Sequence, residues 1–230
     1  MHSLFLLGLA ALASAQSGNV TTTLVSSTTS SSSKTSSASG SVITVAQDGS
    51  GQFTAINPAI SYAQNSGYPT VTVLQGTYTE TVSVVATQTV TIIGQNPSPN
   101  DYTQNKVTIS SPLGPVTVAS NNVQGVSWSN FNFVNSNTTG TAYAVSLRGT
   151  KNAFYDCSFV SSGAGVITST LGITFIFGGY VEGTDKIFYE FPSAYVYGTT
   201  ITATSSSALL VYSKGSTVSE VYPQACYSSC

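Results

Sequence analysis

Residues 126–134, VSWSNFNFV, set a pattern that three later stretches repeat. AFYDCSFV (153–160), FIFGGYVEG (175–183) and YVYGTTITA (195–203) superimpose on it, with Phe133, Phe159, Val181 and Ile201 in one column. The successive spacings are 26, 22 and 20 residues. A repeat in the twenties made only of strands and turns predicts a right-handed parallel β-helix, in which each coil stacks on the last. An antiparallel sandwich, with strands every roughly 8–12 residues, is the competing architecture. The column of like residues and the lack of Asn-Gly hairpin signals favour the helix.

Working outward, the segments 70–84 (TVTVLQGTYTETVSV), 88–95 (QTVTIIGQ), 106–110 (KVTIS), 115–120 (PVTVAS) and 142–149 (AYAVSLRG) read as further short strands between turns. Tyr, Phe, Thr and Val are plentiful while Lys, Arg and Glu are scarce, which favours strands over helices. One helical period stands out near the start. Ile56, Ala59, Ile60 and Ala63 share a face, with Asn57 expected as its cap and Pro58 at its first position. That helix should close the first coil. Upstream, Val42–Ala46 reads as a strand and Asp48–Gly51 as a turn; without a following P-loop Lys, the turn is no phosphate cradle.

The ends read differently. Residues 1–15 have an apolar run from Leu4 to Leu12 before Ala13-Ser14-Ala15, the pattern of a cleaved secretory signal. Residues 16–41, almost all Ser and Thr from Thr21 onward, form an expected flexible linker. The β-helix is expected over 42–222, followed by a tail, 223–230, in which Cys226 and Cys230 can pair in an oxidising compartment. Asn19 and Asn137 head N-glycosylation sequons. No apolar run is long enough to span a bilayer. A secreted or cell-wall monomer is expected.

Charge and histidine content exclude whole classes of function. The net charge is −2 and only 6% of residues are charged, so there is no footprint for nucleic acid. The single His, His2, falls within the signal segment. Ser-His-Asp, Cys-His and His-based metal sites are thereby excluded, leaving carboxylate chemistry. Cys157, within an aromatic strand, reads as a buried hydrophobe and not as a nucleophile.

Six stretches together resemble the pectinesterase (pectin methylesterase) family of carbohydrate esterases. They are VAQDGSGQFTAINPAI (45–60), LQGTYTETV (74–82), TIIGQN (91–96), VSWSNFNFVNS (126–136), YAVSLRGTKNAFYDCSFV (143–160) and YVEGTDKIF (180–188). They stand in the family's order, and the likeness covers about Val42 to Ile201. The resemblance implies an all-β, pectin lyase-like parallel β-helix. It also implies hydrolysis of galacturonate methyl esters in pectin, releasing methanol, with no metal or cofactor. In that chemistry one Asp attacks the ester, a second Asp is general acid/base, two Gln form the oxyanion hole and an Arg orients the nucleophile. Neighbouring carboxylates shift one another's pKa, which allows such a division of roles.

Carried over residue by residue, the machinery is largely replaced. The first Gln falls on Tyr143, the second on Gly163 and the first Asp on Ala164. The second Asp falls on Lys186 without a gap, or on Asp185 with one residue deleted. In-register stacking of Phe159 and Val181, counted without a gap, sets Lys186 beside Ala164 and Asp185 beside Gly163. No segment resembles the family's GRPW, which bears the orienting Arg; Arg148 is the chain's only arginine and matches another position. Asp185 is thus the one surviving catalytic candidate. Glu182 alternates outward from Val181 as a solvated strand residue or a partner for Asp185, Asp156 faces out one coil earlier, and Glu80 reads as structural. Tyr143, Tyr180, Phe188 and Tyr189 can stack on sugar rings or pack the fold. Three readings follow: a catalytically impaired pectinesterase-like protein acting on or binding pectin, a non-catalytic polysaccharide-binding or wall protein, or part of an active pectinesterase.

Overall fold

The computed structural model describes residues 42–85, 88–111, 116–119, 125–138, 142–149, 151–170, 172–190, 193–212 and 225–228. Strand β1 (Val42–Val45) leads to helix α1 (Ile56–Ser66). Two coils follow: β2 (Thr70–Val73), β3 (Gly76–Tyr78), β4 (Ser83–Val85), then β5 (Val90–Gly94), β6 (Val107–Ser110), β7 (Val116–Ala119). The next two are β8 (Val126–Ser129), β9 (Phe131–Asn135), β10 (Val145–Arg148), then β11 (Asn152–Tyr155), β12 (Ser158–Ser161), β13 (Gly165–Ser169). Two more are β14 (Ile173–Phe177), β15 (Tyr180–Gly183), β16 (Lys186–Tyr189), then β17 (Ser193–Tyr197), β18 (Thr200–Ala203), β19 (Leu209–Tyr212). Strand β20 (Ala225–Ser228) is the last described.

Every third strand is a neighbour in space. Sheet A runs β1-β2-β5-β8-β11-β14-β17-β20, sheet B β3-β6-β9-β12-β15-β18, and sheet C β4-β7-β10-β13-β16-β19. All of these pairings are parallel. This is a parallel β-helix with one α-helix among the described residues, and the sandwich alternative is ruled out.

Inside, like stacks on like. In sheet B, Tyr78, Ile109, Phe133, Phe159, Val181 and Ile201 are successive register partners. The four repeat residues therefore do share one column. Its middle members, Ile109 to Val181, are fully buried, and Phe133 stacks on Phe159 at 5.3 Å and 9°. Sheet A sends in a second column, Ile92, Trp128, Phe154, Ile176 and Val196, whose Trp128 and Phe154 meet the Phe133 ring edge-to-face. Each such side chain contributes about 1.5–3 kcal/mol by leaving water.

The turns from sheet A to sheet B are equally regular. Asn130, Asp156, Gly178 and Gly198 all take left-handed backbone, φ 63, 51, 67 and 63°. Behind Gly178, Gly179 has no room for a side chain: a Cβ there would lie 2.1 Å from the Cys157 carbonyl oxygen.

Helix α1 packs on β1, β2 and β4, burying Ile56, Ala59, Ile60 and Ala63 as its period predicts. Its start differs from the sequence reading. The cap position is Ala55, which offers no side-chain acceptor, and Asn57 and Pro58 lie within the first turn. The Glu80 carboxylate caps the helix instead, accepting from the Ile56 N–H at 2.8 Å and the Asn57 N–H at 3.1 Å. An acid at a helix N-terminus meets both the orphan donors and the positive end of the dipole. Asn57 is freed to tie down the strand beyond Glu80, donating to the Thr81 carbonyl and accepting from the Ser83 N–H. Replacing Glu80 by Ala should lower the unfolding free energy by about 1–2 kcal/mol in urea melts. Glu80→Gln, which retains an acceptor but no charge, should fall between wild type and Glu80→Ala.

Candidate functional site

Asp185 lies in the turn from sheet B to sheet C. The preceding coil crosses between β12 and β13 through Ser162, Gly163 and Ala164, whereas the coil of Asp185 crosses through Thr184 and Asp185 alone. Ser161 pairs with Gly183 before the turn, and Gly165 pairs with Lys186 after it. The second turn is therefore one residue shorter, so that Lys186 pairs with Gly165 and Asp185 takes, in its coil, the place before that pair which Ala164 takes in the preceding one. This corrects the ungapped count for Lys186, which it placed beside Ala164: Lys186 stands beside Gly165. The reason is physical: the stacked Phe159 and Val181 cannot slip, so the missing residue is absorbed in the turn.

The Asp185 carboxylate accepts from the Lys186 ammonium at 2.6 Å, with side-chain exposures of 42% and 24% respectively. Such a pair, open to water, is worth at most about 1 kcal/mol but does neutralise the turn. The backbone is fixed on both sides. The Leu209 N–H donates to the Asp185 carbonyl at 2.7 Å, and the Thr184 hydroxyl donates to the Gly163 carbonyl at 3.2 Å.

The segment 142–144 lies over the preceding turn. A Cβ on Gly163 would come within 2.4 Å of the Ala142 methyl, and one on Gly165 within 2.4 Å of the Tyr143 ring. Position 163 consequently has no space for a glutamine unless the Ala142 segment moves. Asn135 holds that segment in place by donating to the Tyr143 carbonyl at 2.7 Å, and the Ser161 hydroxyl donates to the Ala142 carbonyl at 2.7 Å. No motif in the sequence pointed to Ala142 or Asn135, since both act through contacts across a turn.

Tyr143 meets Tyr189 with ring centroids 5.6 Å apart. Burial, then the neighbouring Tyr189 and Glu190, push the Tyr143 phenol up to about 12. Tyr180 stands on the outer face of sheet B, stacked on Tyr102 at 5.8 Å and 8° and donating to Glu182 at 2.5 Å. That hydrogen bond to Glu182 leads the causes that raise the Tyr180 phenol above its usual range. Glu182 and Asp185 thus have different partners, Tyr180 and Lys186. Phe188 is 2% exposed inside the core, so it offers no ring face to a ligand and is withdrawn from the sugar-stacking set. Strand β16 breaks alternation by burying both Ile187 and Phe188, which period-2 reasoning could not foresee.

Other candidates resolve simply. Glu80 is the helix cap. Asp156 occupies a left-handed turn, where burial first and Asp101 second raise its carboxyl. Cys157 is buried and its thiol is pushed up to about 12, chiefly by that burial. Asn137 is half-buried, its N–H held by the Asn135 side chain at 3.0 Å. The signal segment, the linker, Asn19 and the proposed Cys226–Cys230 bridge lie outside the described residues or side chains. Among the described residues there is no group of three His, Cys, Asp or Glu able to hold a metal, and no helix long and apolar enough to cross a membrane.

Residues 42–171 match the family described as Pectinesterase. Two crystal structures of the pectin methylesterase from Aspergillus niger, one deglycosylated and one penultimately deglycosylated, share the fold at a TM-score of 0.61 and 19% identity. The match covers 72% of this chain and 58% of theirs, so the chain spans less than two thirds of their length. No curated protein matches it.

The Tyr143 phenol gives the site a spectroscopic handle. Its raised pKa means that the folded chain keeps a proton between about pH 10 and 12 that the unfolded chain releases, so this group's stabilisation is present below about pH 10 and lost as pH rises through 12. Ultraviolet titration should show a late-ionising tyrosine that disappears in Tyr143→Phe.

Proposed function

The chain belongs to the pectinesterase family, and from that premise we propose that it recognises pectin or a related cell-wall polysaccharide without hydrolysing its methyl esters at an enzyme's rate. One observation carries this reading: the Asp185 carboxylate is engaged by the Lys186 ammonium at 2.6 Å, while Ala164, the residue before the Gly165 that pairs with Lys186, brings no second carboxylate. Ester hydrolysis through two carboxylates needs one to attack and one to handle the proton. A single carboxylate held by an ammonium cannot do both.

The surroundings agree. An oxyanion hole needs donors aimed at the developing charge, and each one lost costs about 10²–10³ in rate. Tyr143 stands at one expected amide position and is packed on Gly165 and Tyr189. At the other, Gly163 has no side chain and no room for one. What the site retains is aromatic surface, Tyr143 and Tyr189 on one side and Tyr180 with Tyr102 on another, suited to holding sugar rings. The N-terminal signal pattern and the Ser/Thr-rich stretch that follows support secretion toward a wall or surface.

Methanol release from highly methylated pectin tests the proposal, using the purified chain beside Asp185→Asn. The expected result is no release above the protein-free rate from either, with retardation of both in pectin-containing gels. Turnover by the wild type that vanishes in Asp185→Asn would overturn the impaired reading. Free migration through pectin gels would remove the recognition half of it.

A further inference from the structure

The outer face of sheet A has a feature that the pectinesterase site does not use. None of its eight strands contains an Asp, Glu, Lys or Arg. Sheets B and C differ, carrying Glu182, Arg148 and Lys186 on their strands. The nearest charges in sequence, Lys151 and Asp156, sit in turns at the strand ends.

On β11, β14 and β17 this uncharged face becomes aromatic. Alternation turns Phe154, Ile176 and Val196 inward and leaves Tyr155, Phe175, Phe177, Tyr195 and Tyr197 outside. Tyr155, Phe177 and Tyr197 are successive register partners, as are Phe175 and Tyr195. The rings brace one another. Tyr155 lies 5.5 Å from Phe177 at 8°, Phe177 lies 5.5 Å from Tyr195, and Tyr195 lies 6.5 Å from Tyr197 at 11°. Tyr155, Tyr195 and Tyr197 nevertheless remain 42, 39 and 55% exposed. Earlier coils continue the face with hydroxyls, where Ser127 donates to Thr91.

We propose that this face docks an uncharged polysaccharide, its pyranose rings lying along the strip of Tyr155, Phe177, Tyr195 and Tyr197. Charge complementarity selects the occupant. A polyanion would leave its carboxylates on a face with no cation to meet them, whereas a neutral, hydroxyl-rich chain buries no unpaired charge there. Tyrosine suits such a ligand, joining an apolar ring to a hydroxyl that can bond to sugar hydroxyls. Mutual stacking also pre-orders the rings, so little side-chain freedom is lost on binding. The inward columns already supply the core of these coils, and exposed aromatic strips are uncommon where nothing docks. The proposal is independent of Asp185, which lies in the turn between the other two sheets.

Affinity electrophoresis of the full chain in gels containing hydroxyethyl cellulose, an uncharged β-1,4-glucan ether, tests it against parallel gels containing polygalacturonate. Retardation in the neutral gel is expected, unaffected by Asp185→Asn and insensitive to added salt. The double variant Tyr195→Ala/Tyr197→Ala should lose roughly tenfold in apparent affinity, while Tyr195→Phe/Tyr197→Phe should keep most of it. Far-UV circular dichroism of both variants, expected to match the wild type, checks that they fold. No retardation in the neutral gel, or equal retardation of the alanine variant, would overturn the proposal. So would a wild-type dimer in sedimentation equilibrium that the alanine variant abolishes, since the strip would then be a protein interface.

Discussion

The structure depends on one constraint: side chains at the same place in successive coils must stack inside the solenoid. The column from Tyr78 to Ile201 and its neighbour from Ile92 to Val196 are locked by parallel backbone ladders and by ring-to-ring contact. A one-residue slip in any strand would turn its inward set out to water. Differences in coil length must therefore fall in the turns. The repeat spacings of 26, 22 and 20 residues reflect this, with strands of nearly constant length and connections of varying length.

That constraint determines the site. The turn between Gly183 and Lys186 is one residue shorter than in the coil below, which brings Lys186 to Gly165 and gives Asp185 the place before that pair. The residues around it fit one another. Gly163 makes room for Ala142, Gly165 makes room for the Tyr143 ring, and Lys186 answers the Asp185 carboxylate.

Much of the fold was legible in the sequence because a β-helix writes its register as a repeat. Phe133, Phe159, Val181 and Ile201 fall in one column of that repeat, and the column is the true register. The helix face was equally plain from its 3.6-residue period, yet its cap was not. Asn57 has the local chemistry of a capping residue, while the group that caps, Glu80, arrives from 24 residues away. Contacts that cross coils leave no local signature, which hid the Tyr102–Tyr180 stack and the position of Ala142 over Gly163. Phe188 misled because a residue beside a turn need not keep the strand's alternation. At the site the identities of the residues could be read, but their juxtaposition turned on the length of one turn.

The central claim, that Asp185 and not Lys186 takes in its coil the place of Ala164, can be tested by cross-linking. Adjacent strands run about 4.8 Å apart, within reach of a disulfide between register partners. Two double-cysteine variants, Ala164→Cys/Asp185→Cys and Ala164→Cys/Lys186→Cys, would be oxidised while folded and their cross-linked peptides measured by mass spectrometry. The predicted result is efficient bridging of 164 to 185, with 164 to 186 trailing well behind. Preferential bridging of 164 to 186 would contradict the shortened turn and the account of the site built on it.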